Sequence, residues 1–247
     1  MKLELIRKME ELMSKCQFVE TNYNCPKCRD MGYTFELGEG NCEVARPCEC
    51  LSKKQSLEKL ERCGLSDAFK QKTFASYICD KSYQVVAKGQ AMRFCDDFIK
   101  TNSSMLLCGS PGTGKTHLGI AAMLKLIDEN VACRYVEYNT MMMSFKQSVM
   151  DEENFIREMD KYLNPRVLFI DDFLKGKTTS ADLNYIYRII NSRYLKGKPV
   201  IISTEKNVKD ILGWDEAVGS RLVEMAGENI IIFDEKGSNY RLKRRGN

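Results

Sequence analysis

Gly109-Ser110-Pro111-Gly112-Thr113-Gly114-Lys115-Thr116 has the spacing GxxxxGK[ST], which suits phosphate. The glycines let backbone amides close around an anion at a helix N-terminus. Lys115 is placed to neutralise β and γ oxygens and the Thr116 hydroxyl to ligate magnesium. His117 follows directly and is grouped with the nucleotide contacts of the loop. Further along, Val167-Leu168-Phe169-Ile170-Asp171-Asp172 sets four apolar residues before paired carboxylates. That is the pattern of a buried strand delivering a second magnesium anchor. Asp171 is expected to reach magnesium, directly or through water, and Asp172 to orient an attacking water. ATP and Mg2+ are the cofactors these two motifs imply.

The second chemical cluster is sulfur. Seven of the eleven cysteines fall within the first 63 residues. Cys25-Pro26-Lys27-Cys28 is a CxxC knuckle, and after nineteen intervening residues Cys48-Glu49-Cys50 supplies another close pair. Two turns that each present two thiolates can meet in the tetrahedral four-sulfur shell of structural zinc, with no open position for catalysis. The expected Zn2+ ligands are Cys25, Cys28, Cys48 and Cys50. Cys16 and Cys42 remain alternatives for one of the four. A disulfide framework is disfavoured by the chain length, the odd count and the lack of an export-type start. Cys63, Cys79, Cys95, Cys108 and Cys133 are scattered singly and are expected to be small packing residues.

These motifs need elements to hold them. Met105 to Cys108 forms a strand before the phosphate loop, and Leu118, Ala121, Ala122 and Leu126 give the following helix an apolar face. Arg134 to Glu137, Val200 to Thr204 and Ile230 to Phe233 are further strands. Between them, Leu183, Ile186, Ile190 and Tyr194 recur at helical spacing, with Ser180 as the expected cap and Gly197 as the stop. Alternating strands and helices predict an α/β fold with a parallel sheet covered on both faces. Near the start, Leu5, Met9, Leu12 and Cys16 form an amphipathic pattern that either packs on the zinc module or offers a partner-binding face. A charged helix from about Ser52 to Arg62 ends at Gly64, which places the domain boundary there: residues 1–64 and 65–247.

With 247 residues, 43% hydrophobic and 29% charged, the composition is globular. No apolar run approaches the roughly 18 residues of a membrane span, and Met1 to Leu5 lacks the apolar stretch of a signal peptide. A cytoplasmic location with no membrane partner is expected. The net charge of +4 is too weak to argue for nucleic acid unless the charges cluster.

Taken together, CPKC to PCEC, Thr73-Phe74 into GSPGTGKTHLG, VLFIDDF, GSRL and NYRLKRR resemble the DnaC/DnaI-type replicative helicase loaders of the AAA+ class. The phage and Gram-positive forms with an N-terminal cysteine cluster match best. The resemblance covers essentially the whole chain. It implies an AAA+ P-loop NTPase sheet, self-association through the ATPase domain, a hexameric helicase partner and single-stranded DNA. It implies Arg221 as a finger reaching the ATP of a neighbouring subunit and Arg241 as the sensor 2 arginine on the γ-phosphate. Thr204, in Ser203-Thr204-Glu205, takes the water-positioning sensor role, although relatives commonly carry asparagine after the hydroxyl residue. Asp172 stands where many AAA+ ATPases have glutamate, so slow or partner-stimulated hydrolysis is expected.

The same resemblance places Asn139 to Lys146 on an extra helical element lining a DNA path, with an exposed aromatic for stacking. The methionines there are alternatively core filler. Lys175 and Lys177 are either DNA contacts or a solvated basic turn, and Lys243-Arg244-Arg245 is a nonspecific phosphate contact. The alternatives to a loader are a transposition helper ATPase of the IstB type and a non-hydrolysing nucleotide-binding adaptor.

Overall fold

A computed structural model describes residues 23, 25–37, 42–48, 50–51 and 64–233. They belong to two compact units, Met1–Gln55 and Ser56–Asn247. The amphipathic segment from Leu5 to Cys16, the charged segment from Ser52 to Arg62, Cys63, Arg241 and the Lys243-Arg244-Arg245 tail lie outside the described residues.

In the N-terminal unit, β1 (Tyr33–Leu37) and β2 (Glu43–Pro47) pair antiparallel, with Tyr33 opposite Pro47 and Phe35 opposite Ala45. All five residues of β2 are exposed, as are the Tyr33 and Phe35 rings. Tyr33-Thr34-Phe35 thus lies in a paired strand, and the hairpin encloses no apolar core of its own among the described residues.

The described part of the C-terminal unit opens with the short helix α1 (Asp67–Lys70) and the long α2 (Ser82–Thr101). Then β3 (Met105–Gly109), α3 (Lys115–Asp128), β4 (Cys133–Glu137), α4 (Tyr138–Ser148), α5 (Glu152–Leu163) and β5 (Val167–Phe173) follow. The chain continues through α6 (Ser180–Leu195), β6 (Val200–Thr204), α7 (Val208–Trp214), α8 (Glu216–Ala226) and β7 (Ile230–Phe233). The five strands β3 to β7 form one parallel sheet in the order β4-β5-β6-β3-β7. Each strand expected in this part of the sequence is present, within one residue of its expected ends.

Side chains alternate across the sheet with period two. Met105 and Leu107 join one core with α2 and α3, through Phe94, Phe98, Leu118 and Met123. Leu106 and Cys108 join the other, with Phe145 of α4 and Ile186, Ile189 and Ile190 of α6. In β5 the alternation breaks. Phe169 belongs to the first core, yet Phe173, which strict alternation would put beside it, packs in the second with Leu168 and Ile170. The cause is one extra residue in β5 against β6, where Ile170 pairs with Ile202 but Phe173 pairs with Thr204. The two aspartates are the residues inside that bulge.

Several expectations shift. The cap of α6 is Thr179, which accepts from the Asp182 N–H while the Asp182 carboxylate accepts from the Thr179 N–H; Ser180 is the first helical residue. Asn139 to Lys146 is helical, in α4, but its aromatic is not available for stacking. Phe145 is fully buried against Phe155, Tyr162 and Tyr185, and Lys146 forms an ion pair with Asp182 at 2.8 Å. Met141 and Met142 are core, and only Met143 is exposed. Cys95 and Cys108 are buried as expected, while Cys79 and Cys133 are only half-buried.

Candidate functional site

The phosphate loop joins β3, buried along its first four residues, to α3, which begins at Lys115 with Gly114 as its cap. Gly114 has φ +100°, and a Cβ there would stand 2.7 Å from the Tyr77 ring. Gly109 has φ +143°, and a Cβ there would collide with the Phe233 carbonyl. Both positions therefore exclude larger residues for steric reasons that are independent of any ligand. Tyr77 closes over the loop and donates to the Thr113 carbonyl at 3.4 Å, and Thr113 donates to the Ser110 carbonyl at 2.9 Å.

A cleft of ≈ 290 Å³ opens here. It is lined by residues 111–117 of the loop, by Lys72, Ser76, Tyr77, Ile78 and Gln84, and on the far side by Asp172, Lys175 and Glu205. Lys115 is buried and donates to the carbonyls of Gly109 and Ser110, both at 2.7 Å. Burial pulls its pKa below the usual lysine value, against the pull of Glu205, Asp172 and Asp171. Its present partners are two neutral carbonyls, which an anionic phosphate would outcompete. His117, with Nε2 protonated, donates to the Thr73 carbonyl at 2.9 Å and lies 3.3 Å from Ser76 Oγ. It thus ties the segment before α2 to the phosphate-loop helix.

Asp171 is buried and surrounded by hydroxyls. Thr116 donates to its Oδ1 at 2.9 Å, Ser203 donates to the same oxygen, and Tyr135 donates to Oδ2 at 3.0 Å. Thr116 and Asp171 thus present a hydroxyl and a carboxylate side by side, the donor set that fits Mg2+. Burial, followed by the Asp171 charge, holds the Tyr135 phenol protonated. Nothing in the sequence around Tyr135 signals this role, because it sits on β4, beside β5 only in three dimensions.

Asp172 adopts a left-handed φ of 52° at the bulge, and its N–H donates to Ser203 Oγ at 3.1 Å. Its carboxylate meets Lys175 Nζ at 2.7 Å. Ser203 therefore links both aspartates. The hydroxyl of Thr204 is placed differently from the water-positioning role expected of it. It is fully buried, donates to the Phe173 carbonyl at 2.7 Å and accepts from the Lys206 N–H. Of Ser203-Thr204-Glu205, only Glu205 lines the cleft.

Arg221 lies on α8 and is not among the residues lining this cleft. Its guanidinium stands 5.6 Å from the Tyr187 ring and 5.5 Å from the Tyr194 ring, and Nη1 donates to the Ala217 carbonyl. Nε has no hydrogen-bond partner among the described residues.

In the N-terminal unit the sulfurs of Cys25, Cys28, Cys48 and Cys50 all lie within 4.8 Å of one another. Cys25 and Cys48 are 3.7 Å apart, and Cys28 and Cys50 3.2 Å. A tetrahedron of sulfurs about 2.3 Å from a central zinc has edges of about 3.8 Å, so the donor set fits that ion. Arg29 and Asp30 turn through left-handed φ values of 50° and 64°. The Asp30 carboxylate accepts from the Cys25 N–H, and the Gly32 N–H donates to Cys28 Sγ. The Gly32 carbonyl accepts from the Cys48 N–H and joins the two pairs. The Cys28 backbone pulls the Cys25 thiol down to about 7, while the Cys28 side chain pushes Cys50 up. Cys42 is exposed and lies outside the quartet; Cys16 is among the residues not described.

Residues 53–247 match the family described as IstB-like ATP binding protein. The chain belongs to that family. By sequence, this IstB-like protein is 32% identical to YqaM of Bacillus subtilis, over 80% of the chain and 67% of that protein. It is 29% identical to the phage-like element PBSX protein XkdC of the same organism, over 91% of the chain and 87% of XkdC. An ATP-binding protein of insertion sequence IS5376 from Geobacillus stearothermophilus is 27% identical over 60% of the chain and 59% of its own length. Among solved structures, the DnaC helicase loader superposes with TM-score 0.60 at 22% identity, over 68% of this chain and the whole of that solved chain. The C-terminal unit has the AAA+ P-loop NTPase fold. Among the described residues, no helix is long and apolar enough to cross a membrane.

Proposed function

We propose that this IstB-like protein is an ATPase that loads a replicative helicase onto single-stranded DNA. The observation that carries the reading is the likeness in fold to the DnaC helicase loader, and the likeness to XkdC extends the comparison beyond that fold. A match over 91% of the chain must run into the N-terminal cysteine unit, whereas the 60% match to the insertion-sequence protein fits within the C-terminal unit alone. The cysteine unit, holding one Zn2+ in a closed shell, would grip the helicase, and the DnaC-like fold of the other unit would switch with nucleotide.

In this reading Thr116 and Asp171 hold Mg2+, which when bound neutralises charge on the β- and γ-phosphates. Lys115 leaves the Gly109 and Ser110 carbonyls for phosphate oxygens. Asp172 orients a water and takes its proton as the water oxygen bonds to the γ-phosphorus and the bond to the β-phosphate oxygen breaks. Arg221 acts on a neighbouring subunit, where a guanidinium accelerates the transfer roughly a thousandfold or more. Arg241 contacts the γ-phosphate within its own subunit. Residues 1–64 and 65–247 are the working domains.

Lys115→Ala should abolish ATP binding in a nucleotide titration. Arg221→Ala should suppress phosphate release by the assembled protein and leave monomer ATP affinity nearly intact; equal loss of both contradicts an intersubunit finger. Capture of the tagged full chain with ATP from its native cells tests the function. Recovery of a hexameric helicase supports the loader. The family match and the IS5376 relative favour a second reading, a transposition helper, and recovery of a transposase instead would establish it.

A further inference from the structure

The basic turn after β5 is where the structure departs most from a solvated loop. Lys175 lines the nucleotide cleft together with Lys115, Thr116, Asp172 and Glu205, and the exposed Lys177 does not. Its Nζ is 2.7 Å from Asp172 Oδ2 and 3.8 Å from Glu205 Oε1. This placement is built into the backbone. Asp172 and Leu174 both have left-handed φ, 52° and 59°, without being glycine, and the Lys175 N–H donates to the Asp172 carbonyl at 3.1 Å. Such conformations persist only where the surroundings enforce them. Here Phe173 and Leu174, 0% and 3% exposed, anchor the turn in the core and bring the Lys175 ammonium back over the aspartate it follows.

We infer that Lys175 is a phosphate-binding residue of the nucleotide site, exchanging its two carboxylate partners for the terminal phosphoryl group of a nucleoside triphosphate. The inference rests on the nucleotide reading of the cleft. A triphosphate seated on Lys115 brings anionic oxygens toward Asp172 and Glu205, and like charges in a partly buried cleft repel strongly. Among the described residues, Lys175 is a cation in contact with both of those carboxylates, on a flexible four-carbon stem whose side chain is 44% exposed. Its move to the γ-phosphate offsets the repulsion and releases the Asp172 carboxylate to receive a water proton. A diphosphate lacks the group that draws Lys175 away, so the lysine confers preference for triphosphate.

The test compares ATP and ADP affinity of the full chain with Lys175→Met and Lys175→Arg. Removing one charge-assisted contact is expected to weaken ATP about tenfold in Lys175→Met with ADP unchanged, and to leave Lys175→Arg near the parent. Melting followed by the fluorescence of the single tryptophan, Trp214, should be unaltered, since the substituted side chain is exposed. Equal loss of ATP and ADP, or no loss of either, overturns the inference. So does unchanged nucleotide binding with weakened oligo-dT binding, which makes Lys175 a DNA contact. So does faster hydrolysis at unchanged ATP affinity, which makes it a lock on Asp172. A parent protein that binds neither nucleotide would instead refute the reading of the cleft itself.

Discussion

In β2 of the cysteine ribbon all five residues are exposed, whereas in β6 of the C-terminal unit all five are buried. The first strand has no described apolar layer to pack on, and its neighbourhood is organised by four sulfurs and the backbone hydrogen bonds around them. The second lies between two hydrophobic cores and needs no ligand to hold it. A segment of this size buries too little surface to balance its chain entropy without a staple, whereas a sheet covered on both faces does so through burial. The contrast teaches where each unit is vulnerable: one to its donor atoms, the other to its packing and to its few buried polar groups.

The largest effect should come from the sulfur shell. Cys28→Ser, or a strong chelator, is expected to remove bound zinc and with it the order of β1 and β2, because metal binding contributes roughly 10 kcal/mol or more in such modules. Metal analysis and amide exchange over 33–47 measure this. Trp214 lies in the other unit, so its melting curve should not move; Cys42→Ser should leave zinc stoichiometry unchanged.

Next is Arg193, a fully buried arginine whose guanidinium donates to the carbonyls of Tyr162, Pro165, Arg166 and Pro199 at 2.7 to 3.2 Å. Burial pulls it down to about 10, still far above neutrality, so it remains charged. Arg193→Met leaves those carbonyls in the core without their donor and should cost about 3 kcal/mol or more in denaturant unfolding. Zinc content should not change.

A smaller effect is expected from Tyr135→Phe, which removes the hydroxyl on Asp171 Oδ2 and frees the carboxylate to turn. About 1 kcal/mol corresponds to a roughly fivefold weaker dependence on Mg2+ in an ATP-binding titration, with stability nearly unchanged.

Smallest is the pH response of His117. Burial holds its pKa below the ordinary value, so the unfolded chain protonates first as pH falls. The histidine then favours unfolding: stability is full above about pH 6.5 and declines below it. His117→Gln should flatten that decline in melting temperature between pH 7 and pH 5.

Much of this was legible in the chain because it is encoded contiguously. The phosphate loop, the CxxC knuckle, the apolar run before Asp171 and the strands of the sheet each occupy a few successive residues, where spacing carries the information. Helix ends were less legible. Thr179 and Ser180 are both cap-forming types, with Ser the better by type, and the choice fell to Thr179, which completes a reciprocal pair with Asp182. The family resemblance likewise implied an exposed Phe145 for base stacking and Lys146 for backbone charge, yet packing among Phe155, Tyr162 and Tyr185 buries the ring, and Asp182 engages the lysine.

The sequence by itself determined which chemical groups are present and the local turns that display them: glycines that allow the phosphate loop, thiols in close pairs, carboxylates after a buried strand. Tertiary structure alone decided which of those groups face one another. Ser203 and Thr204 are both hydroxyls in a wholly buried strand, so no alternation of polar and apolar residues distinguishes their faces. Register does, and the one-residue bulge between Ile170 and Phe173 shifts it, because side chains alternate with period two and one added residue exchanges the faces. Through that shift Ser203 meets both aspartates, Thr204 turns to Phe173, and Lys175 returns to the cleft.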